Sequence, residues 1–188
     1  TTASNNTAVG YASLGVNTTG TDNVAVGSGA LTSNTTGAGS VAVGKNSMNS
    51  NTTAIDNTAV GMNSLFYNTT GTANVAFGRN ALQSNTTASN NTAVGYLSLT
   101  ANTTGTSNTA VGAFAADANT TGVNNTALGL HAYTAGATAS GNTALGSNAM
   151  TGVVTGDNNT AVGLLALTAN TTGTNNTAVG MQSLLAVT

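Results

Sequence analysis

Apolar and polar residues alternate along this chain in a short block, Asn6-Thr7-Ala8-Val9-Gly10, that returns every 17 residues. The closing glycines are Gly10, Gly27, Gly44, Gly61, Gly78, Gly95, Gly112, Gly129, Gly146, Gly163 and Gly180. No insertion or deletion breaks the series, so eleven periods of 17 account for 187 of the 188 residues. A fixed period of this size predicts stacked repeats rather than a conventional globular core. Columns are numbered here by the first-coil residue that occupies them, 4 to 20. Column 8 is always Ala and column 10 always Gly; column 7 is Thr or Val; column 9 is Val except for Phe77, Leu128 and Leu145. Column 13 is Ser or Ala, and column 14 is Leu or Met except for Ala116 and Tyr133. Columns 17 to 19 are mostly Asn-Thr-Thr, column 20 is Gly or Ala, and column 6 is Asn except for Ser40.

β-Branched residues at columns 7 and 9 with small residues between them have the period of a strand. The alternation predicts columns 7 and 9 inward and columns 8 and 10 outward. The second apolar maximum, at column 14, predicts a second short strand on the opposite wall, and the Asn-Thr-Thr-Gly tract between them has turn chemistry. Arg79-Asn80-Ala81-Leu82-Gln83-Ser84 has helical composition as an alternative for columns 11 to 16, but six residues are too few to nucleate a helix alone. The expected fold class is all-β: a parallel β-solenoid or β-roll of eleven 17-residue coils, two short strands per coil, in a single domain over residues 1–188. At about 3.3 Å per residue a coil has a perimeter of about 56 Å, enough for a flattened loop with a thin interior. One Val and one Leu per coil cannot offset the ordering of 17 residues, so each coil must bond to its neighbours at about 4.8 Å, giving a rod of about 50 Å. Identical columns then form Asn, Thr and Val ladders. The absence of Pro agrees, since interior strands must donate their N–H groups.

Composition narrows the function classes. Charged residues are 3% of the chain, the net charge is −2, and Lys45 and Arg79 are the two fixed cations. That leaves no electrostatic footprint for a nucleic acid or an anionic membrane surface. No apolar run approaches the ~20 residues of a spanning helix, so membrane insertion is not expected. Without cysteine there are no disulfides or thiolate metal sites. Thr1 is not an initiator, and the chain is expected to be a processed product or a segment of something longer.

The eight-residue core Asn-Thr-Ala-Val-Gly-x-x-Ser, as in Asn91 to Ser98, resembles the head repeat of trimeric autotransporter adhesins, whose unit reads Asn-Ser-Val-Ala-Ile-Gly-x-x-Ser. The resemblance covers every repeat and implies a left-handed parallel β-roll with three chains side by side. The period of 17 is longer than the family's coil, with the added length in the Asn-Thr-Thr-Gly loop. Repeats much like these also occur in phage tail fibres and bacterial surface fibre proteins. The resemblance therefore implies a structural or adhesive role at a cell or virion surface. Small residues at columns 8 and 10 supply a separate motive for side-by-side packing, because they would leave a flat outer face.

Candidate chemistry is sparse. His131 is the one histidine, with Asp117 one coil before it, and a triad needs a base held against a nucleophile. Asp22 and Asp56 share a column two coils apart, about 9–10 Å, which is wide for a retaining glycosidase pair. Asp157 stands alone, whereas calcium-binding solenoids repeat their Asp in every coil. No catalytic, cofactor-binding or metal residues are assigned, no cofactor is expected, and the chain is read as not an enzyme. Lys45 and Arg79, both at column 11, read as solvated surface. Asn-Thr-Thr is a glycosylation sequon, making Asn17, Asn34, Asn51, Asn68, Asn85, Asn102, Asn119 and Asn170 possible glycan acceptors. A second set, Asn5, Asn90, Asn124, Asn158 and Asn175, opens Asn-Asn-Thr.

The chain is thus expected to be the shaft or adhesive head of an extracellular or virion-associated fibre. Its partners would be copies of itself, as a side-by-side trimer or an end-to-end filament, and surface glycans or a host receptor. Columns 11, 12 and 15, which hold Tyr11, Tyr96, Phe114, Leu130 and Phe66, vary most and are the expected contact surface. The alternative is an ice-binding solenoid presenting Thr ladders from columns 7, 18 and 19.

Overall fold

The computed structural model describes residues 2–152, 155–169 and 171–185, and it is a parallel β-solenoid. Each coil contributes one three-residue strand: β1 (Thr7–Val9), β2 (Val24–Val26), β3 (Val41–Val43), β4 (Thr58–Val60), β5 (Val75–Phe77), β6 (Thr92–Val94), β7 (Thr109–Val111), β8 (Thr126–Leu128), β9 (Thr143–Leu145), β10 (Thr160–Val162) and β11 (Thr177–Val179). They form one sheet in sequence order, each parallel to the next. Register never slips: Val9 pairs with Val26, Val94 with Val111 and Val162 with Val179. No helix forms among the described residues.

The strand faces are opposite to those the alternation predicts. The column 8 alanines from Ala25 to Ala178 are buried, whereas Val9, Phe77, Leu128, Leu145 and Val179 at column 9 are exposed. Period two fixes that neighbours face opposite ways, not which face is inside. Space decides that here, because the interior also holds the column 13 Ser or Ala, the column 14 side chain and, in most coils, two asparagines, leaving room for a methyl group beneath the strand. Column 8 therefore cannot supply a flat outer face for a neighbouring chain. The column 10 glycine serves axial stacking instead. Gly10 has φ +125, and a Cβ there would lie 2.7 Å from the carbonyl carbon of Gly27 in the next coil.

The wall around column 14 is not the second strand that the pattern predicts. Leu31, Leu65, Leu82 and Leu99 are fully buried with φ between +49 and +50, and column 12 residues such as Asn46 (φ +57) and Leu97 (φ +58) are also left-handed. Left-handed residues at columns 12 and 14 break the extended geometry, yet the backbone still bonds along the axis. Leu31 N donates to Ser47 O (3.0 Å), and Asn46 N donates to Ser28 O (2.9 Å). A left-handed non-glycine residue costs roughly 1–2 kcal/mol. Complete burial of a Leu, as at Leu31, Leu65, Leu82, Leu99 and Leu167, and a continued ladder of hydrogen bonds offset that cost.

Two asparagine columns brace the interior. At column 6 the amide nitrogen crosses to the carbonyl of column 20, as from Asn91 to Gly105 O (2.9 Å). The same residue's Oδ1 accepts the backbone N–H of the next coil's column 6, as from Asn108 to Asn91 (2.9 Å). At column 17 the amide reaches the same carbonyl from the other side, Asn102 to Gly105 O (2.9 Å), and also the preceding coil's Asn85 Oδ1 (3.0 Å). Buried polar groups must be hydrogen-bonded, and among the described residues every buried side-chain N or O atom has a partner. Ser40 interrupts column 6 but keeps the axial link, its Oγ accepting from Asn57 N (3.2 Å).

Candidate functional surface

Because the interior is consumed by packing and bracing, chemistry available to a partner lies on the outer columns. The sequon asparagines of column 17 are not among them. Asn34, Asn51, Asn68, Asn85, Asn102 and Asn119 are fully buried, and their amide nitrogens are all engaged. Asn17 is part-buried and makes the same bond to Gly20 O (3.0 Å), and Asn170 lies outside the described residues. A glycan on any of the six would displace the bracing amide, so these positions are structural in the folded coil. The exposed sequons are the second set at column 5, where Asn5, Asn90, Asn124, Asn158 and Asn175 sit on the surface with left-handed backbones.

The two threonine columns of the Asn-Thr-Thr tract have different jobs. The tract is a bend and not a strand, so neighbouring threonines do not point to opposite sides of a sheet. At column 18 the hydroxyl donates to the next coil's carbonyl, as from Thr86 to Thr103 O (3.1 Å) and Thr103 to Thr120 O (3.0 Å). Column 19 is Thr in every coil (Thr2, Thr19, Thr36 and onward to Thr172) and exposed throughout.

Three of the four aspartates have local partners. Asp22 is held below the usual carboxylate range by the Asn5 amide, which donates to it at 2.9 Å, and then by Thr21. Asp157 Oδ1 accepts from Ser140 N (2.7 Å). Partial burial pushes the Asp117 carboxyl up, against the opposing pull of His131. No cluster of His, Asp or Glu with metal-binding geometry forms among the described residues.

Columns 11 and 12 carry an assembly that the sequence did not announce. Arg79 and Tyr96 occupy column 11 in successive coils, and Phe114 and His131 occupy column 12 in the next two. The Arg79 guanidinium lies over the Tyr96 ring (5.9 Å to its centroid). Tyr96 meets Phe114 edge-on (5.3 Å), and Phe114 stacks on His131 (4.7 Å, 9° between planes). The four side chains thus form one ribbon along the axis. Tyr96 and Phe114 are among the expected contact residues, whereas Arg79 reads from the sequence as solvated surface and His131 as the one histidine, weighed only against Asp117. The signal that joins them is a one-column stagger between consecutive coils. A second aromatic pair, Phe66 and Tyr67, packs edge-on at 4.6 Å in another coil.

Comparison with protein-family models, curated proteins and solved structures found no match to this chain.

Proposed function

We propose that the chain is a structural and adhesive rod: the shaft or head module of an extracellular or virion-associated fibre, without turnover. One observation carries the reading. Ten successive coil interfaces repeat in one register, and both backbone and buried asparagines bond along the axis. Such a rod holds distance and repeats the same outer columns once per coil, which suits many weak contacts acting together. The resemblance of Asn91 to Ser98 to adhesin head repeats supports the same reading, with placement at a cell or virion surface. Copies of the chain, side by side or end to end, are the proposed structural partners, and surface glycans or a host receptor the proposed targets. Electron microscopy of the native material tests it. Stalks or filaments of constant width, with a length set by the number of coils, are expected; compact particles of no fixed axis would overturn it.

The column 19 hydroxyls favour a second reading. Eleven threonines stand in single file, exposed, at the coil repeat. A neutral rank of hydroxyl and methyl groups at a fixed spacing is the surface that an ice lattice could match. Inhibition of ice recrystallisation by the purified chain, lost on Thr70→Lys and Thr87→Lys, is the outcome expected of that reading. Its absence removes it.

A further inference from the structure

We propose that the strip formed by columns 11 and 12 is a binding site for an extended acidic polysaccharide, laid along the rod axis over Arg79, Tyr96, Phe114 and His131. The proposal rests on the adhesive reading above and names its site and ligand class. The first argument is that the rings are not needed for stacking. At the same column 12, coils join through amides, Asn46 to Asn63 (3.5 Å) and Asn63 to Asn80 (3.4 Å), and Gly29 serves in another coil. Replacing amides by a ring ladder in later coils adds apolar faces to the outside. After its ring contacts Tyr96 is still 42% exposed.

The second argument is charge. The chain's two cations, Lys45 and Arg79, and its one histidine all lie on columns 11 and 12. All four aspartates lie elsewhere: Asp22 and Asp56 at column 5, Asp157 at column 4 and Asp117 at column 15. In a chain of net charge −2 columns 11 and 12 hold both fixed cations and no carboxylate; Asp117 at column 15 faces the His131 end of the strip, whereas Arg79 has no ion pair among the described residues. An anionic partner is the one it complements.

The third argument is shape and spacing. Lys45 to His131 spans five coil steps, about 24 Å, with one side chain offered per coil or two at about 4.8 Å per step. A pyranose chain fits that offer. Each sugar has a face of C–H groups to lie on a ring, and an equatorial carboxylate suits the forked donors of Arg79. Two cations set about 10 Å apart are too sparse for the phosphate density of a nucleic acid, whose affinity depends on neutralising many charges.

The test is titration of the purified chain with polygalacturonate and hyaluronate, with dextran as the neutral comparator and poly(U) as the nucleic-acid comparator. Binding to one or both uronate polymers is expected, with little to dextran or poly(U). Arg79→Gln and Tyr96→Leu should each weaken it by about tenfold or more, the scale of a lost charge-assisted hydrogen bond or its equivalent. Tyr67→Leu, off the strip, should leave it unchanged, and the melting temperature of each variant verifies that the rod is intact. An intact rod that binds no uronate polymer, prefers dextran or poly(U), or binds equally well as Arg79→Gln and Tyr96→Leu overturns the proposal. Because the rod's shape is read separately by microscopy, such a failure leaves the fibre reading standing.

Discussion

The hydroxyl of Tyr133 takes over the bond that Asn makes elsewhere, and Gly136 is the vacancy that lets it. Tyr133 Oη donates to Ala139 O (3.1 Å) and accepts from the Asn142 amide (3.1 Å), with the ring fully buried. Gly136 occupies column 17, and a Cβ there would collide with the Tyr133 ring. Two coils away a Leu at column 14 and an Asn at column 17 fill the same space, as Leu99 and Asn102 do, and the Asn bonds the column 20 carbonyl. The geometry predicts that the two pairs can be exchanged whole but not by halves. Tyr133→Leu alone should cost about 2–4 kcal/mol through a cavity and a lost hydrogen bond. Gly136→Asn alone should cost about 1–3 kcal/mol or more by overpacking. The double substitution should recover most of both losses, because the introduced asparagine can then extend the amide ladder from Asn119. Chemical denaturation of the four proteins measures the coupling, and additive losses would refute the exchange.

That same phenol sets an alkaline limit. Burial pushes the Tyr133 pKa up to about 12, with the Asn142 amide opposing and Asp157 adding to the rise. The folded state favours the neutral phenol, so the contribution is fully present below the unfolded value of 10.0 and is lost as pH rises from there toward about 12. Thermal melts should therefore fall more steeply between pH 10 and 12 than those of Tyr133→Phe. The Phe variant starts lower, by about 1–3 kcal/mol for the unmade bonds. Parallel alkaline limbs in the two proteins would show that the phenol is not the titrating group.

Glycan mapping separates buried from exposed sequons. Column 17 amides such as Asn85 and Asn102 are structural donors, while Asn90 and Asn124 at column 5 face solvent. Expressed through a eukaryotic secretory pathway, the folded protein should carry sugar at column 5 sites and none from Asn34 to Asn119 at column 17. Peptide mass spectrometry after enzymatic deglycosylation reads the occupancy of each site. A folded product modified at Asn85 or Asn102 would contradict the bracing role.

The period, the parallel stacking and the register were legible because a repeat without insertions permits little else: Val9 over Val26 follows from spacing alone. The facing of the strand was not legible from hydrophobicity, which favoured burying Val9 over Ala8. The better signal was size tolerance, since column 8 never departs from Ala while column 9 admits Phe77 and two leucines. A buried position in a narrow interior accepts one volume, and an exposed one accepts several. The wall at column 14 misled for another reason. Leucine carries no mark of left-handed backbone, so Leu31 or Leu82 reads as strand or helix until the fold imposes φ near +50. The ribbon of Arg79, Tyr96, Phe114 and His131 escaped because its members change column midway, which a strictly vertical reading cannot connect.

Left-handed strain also identifies where the rod can be improved. Column 5 turns the chain into each strand with positive φ, and it mostly holds Asn, Asp or Gly, which tolerate that conformation. Ala73 is the exception with a bare methyl: exposed, at φ +55, its N–H donating to Ile55 O (3.2 Å). Ala gains nothing from its side chain there and bears the Cβ clash of the left-handed region. Ala73→Asn keeps the backbone bond and relieves part of that cost, so stability should rise by up to about 1 kcal/mol. In a chain of this length that corresponds to about 2–4 °C in melting temperature. The opposite result is expected at column 8, where Ala76 is fully buried in an extended strand and an Asn would have neither space nor a partner. Differential scanning calorimetry of Ala73→Asn and Ala76→Asn distinguishes the two environments. A melting temperature unchanged or lowered by the first substitution would mean that the turn at column 5 carries no strain for asparagine to relieve.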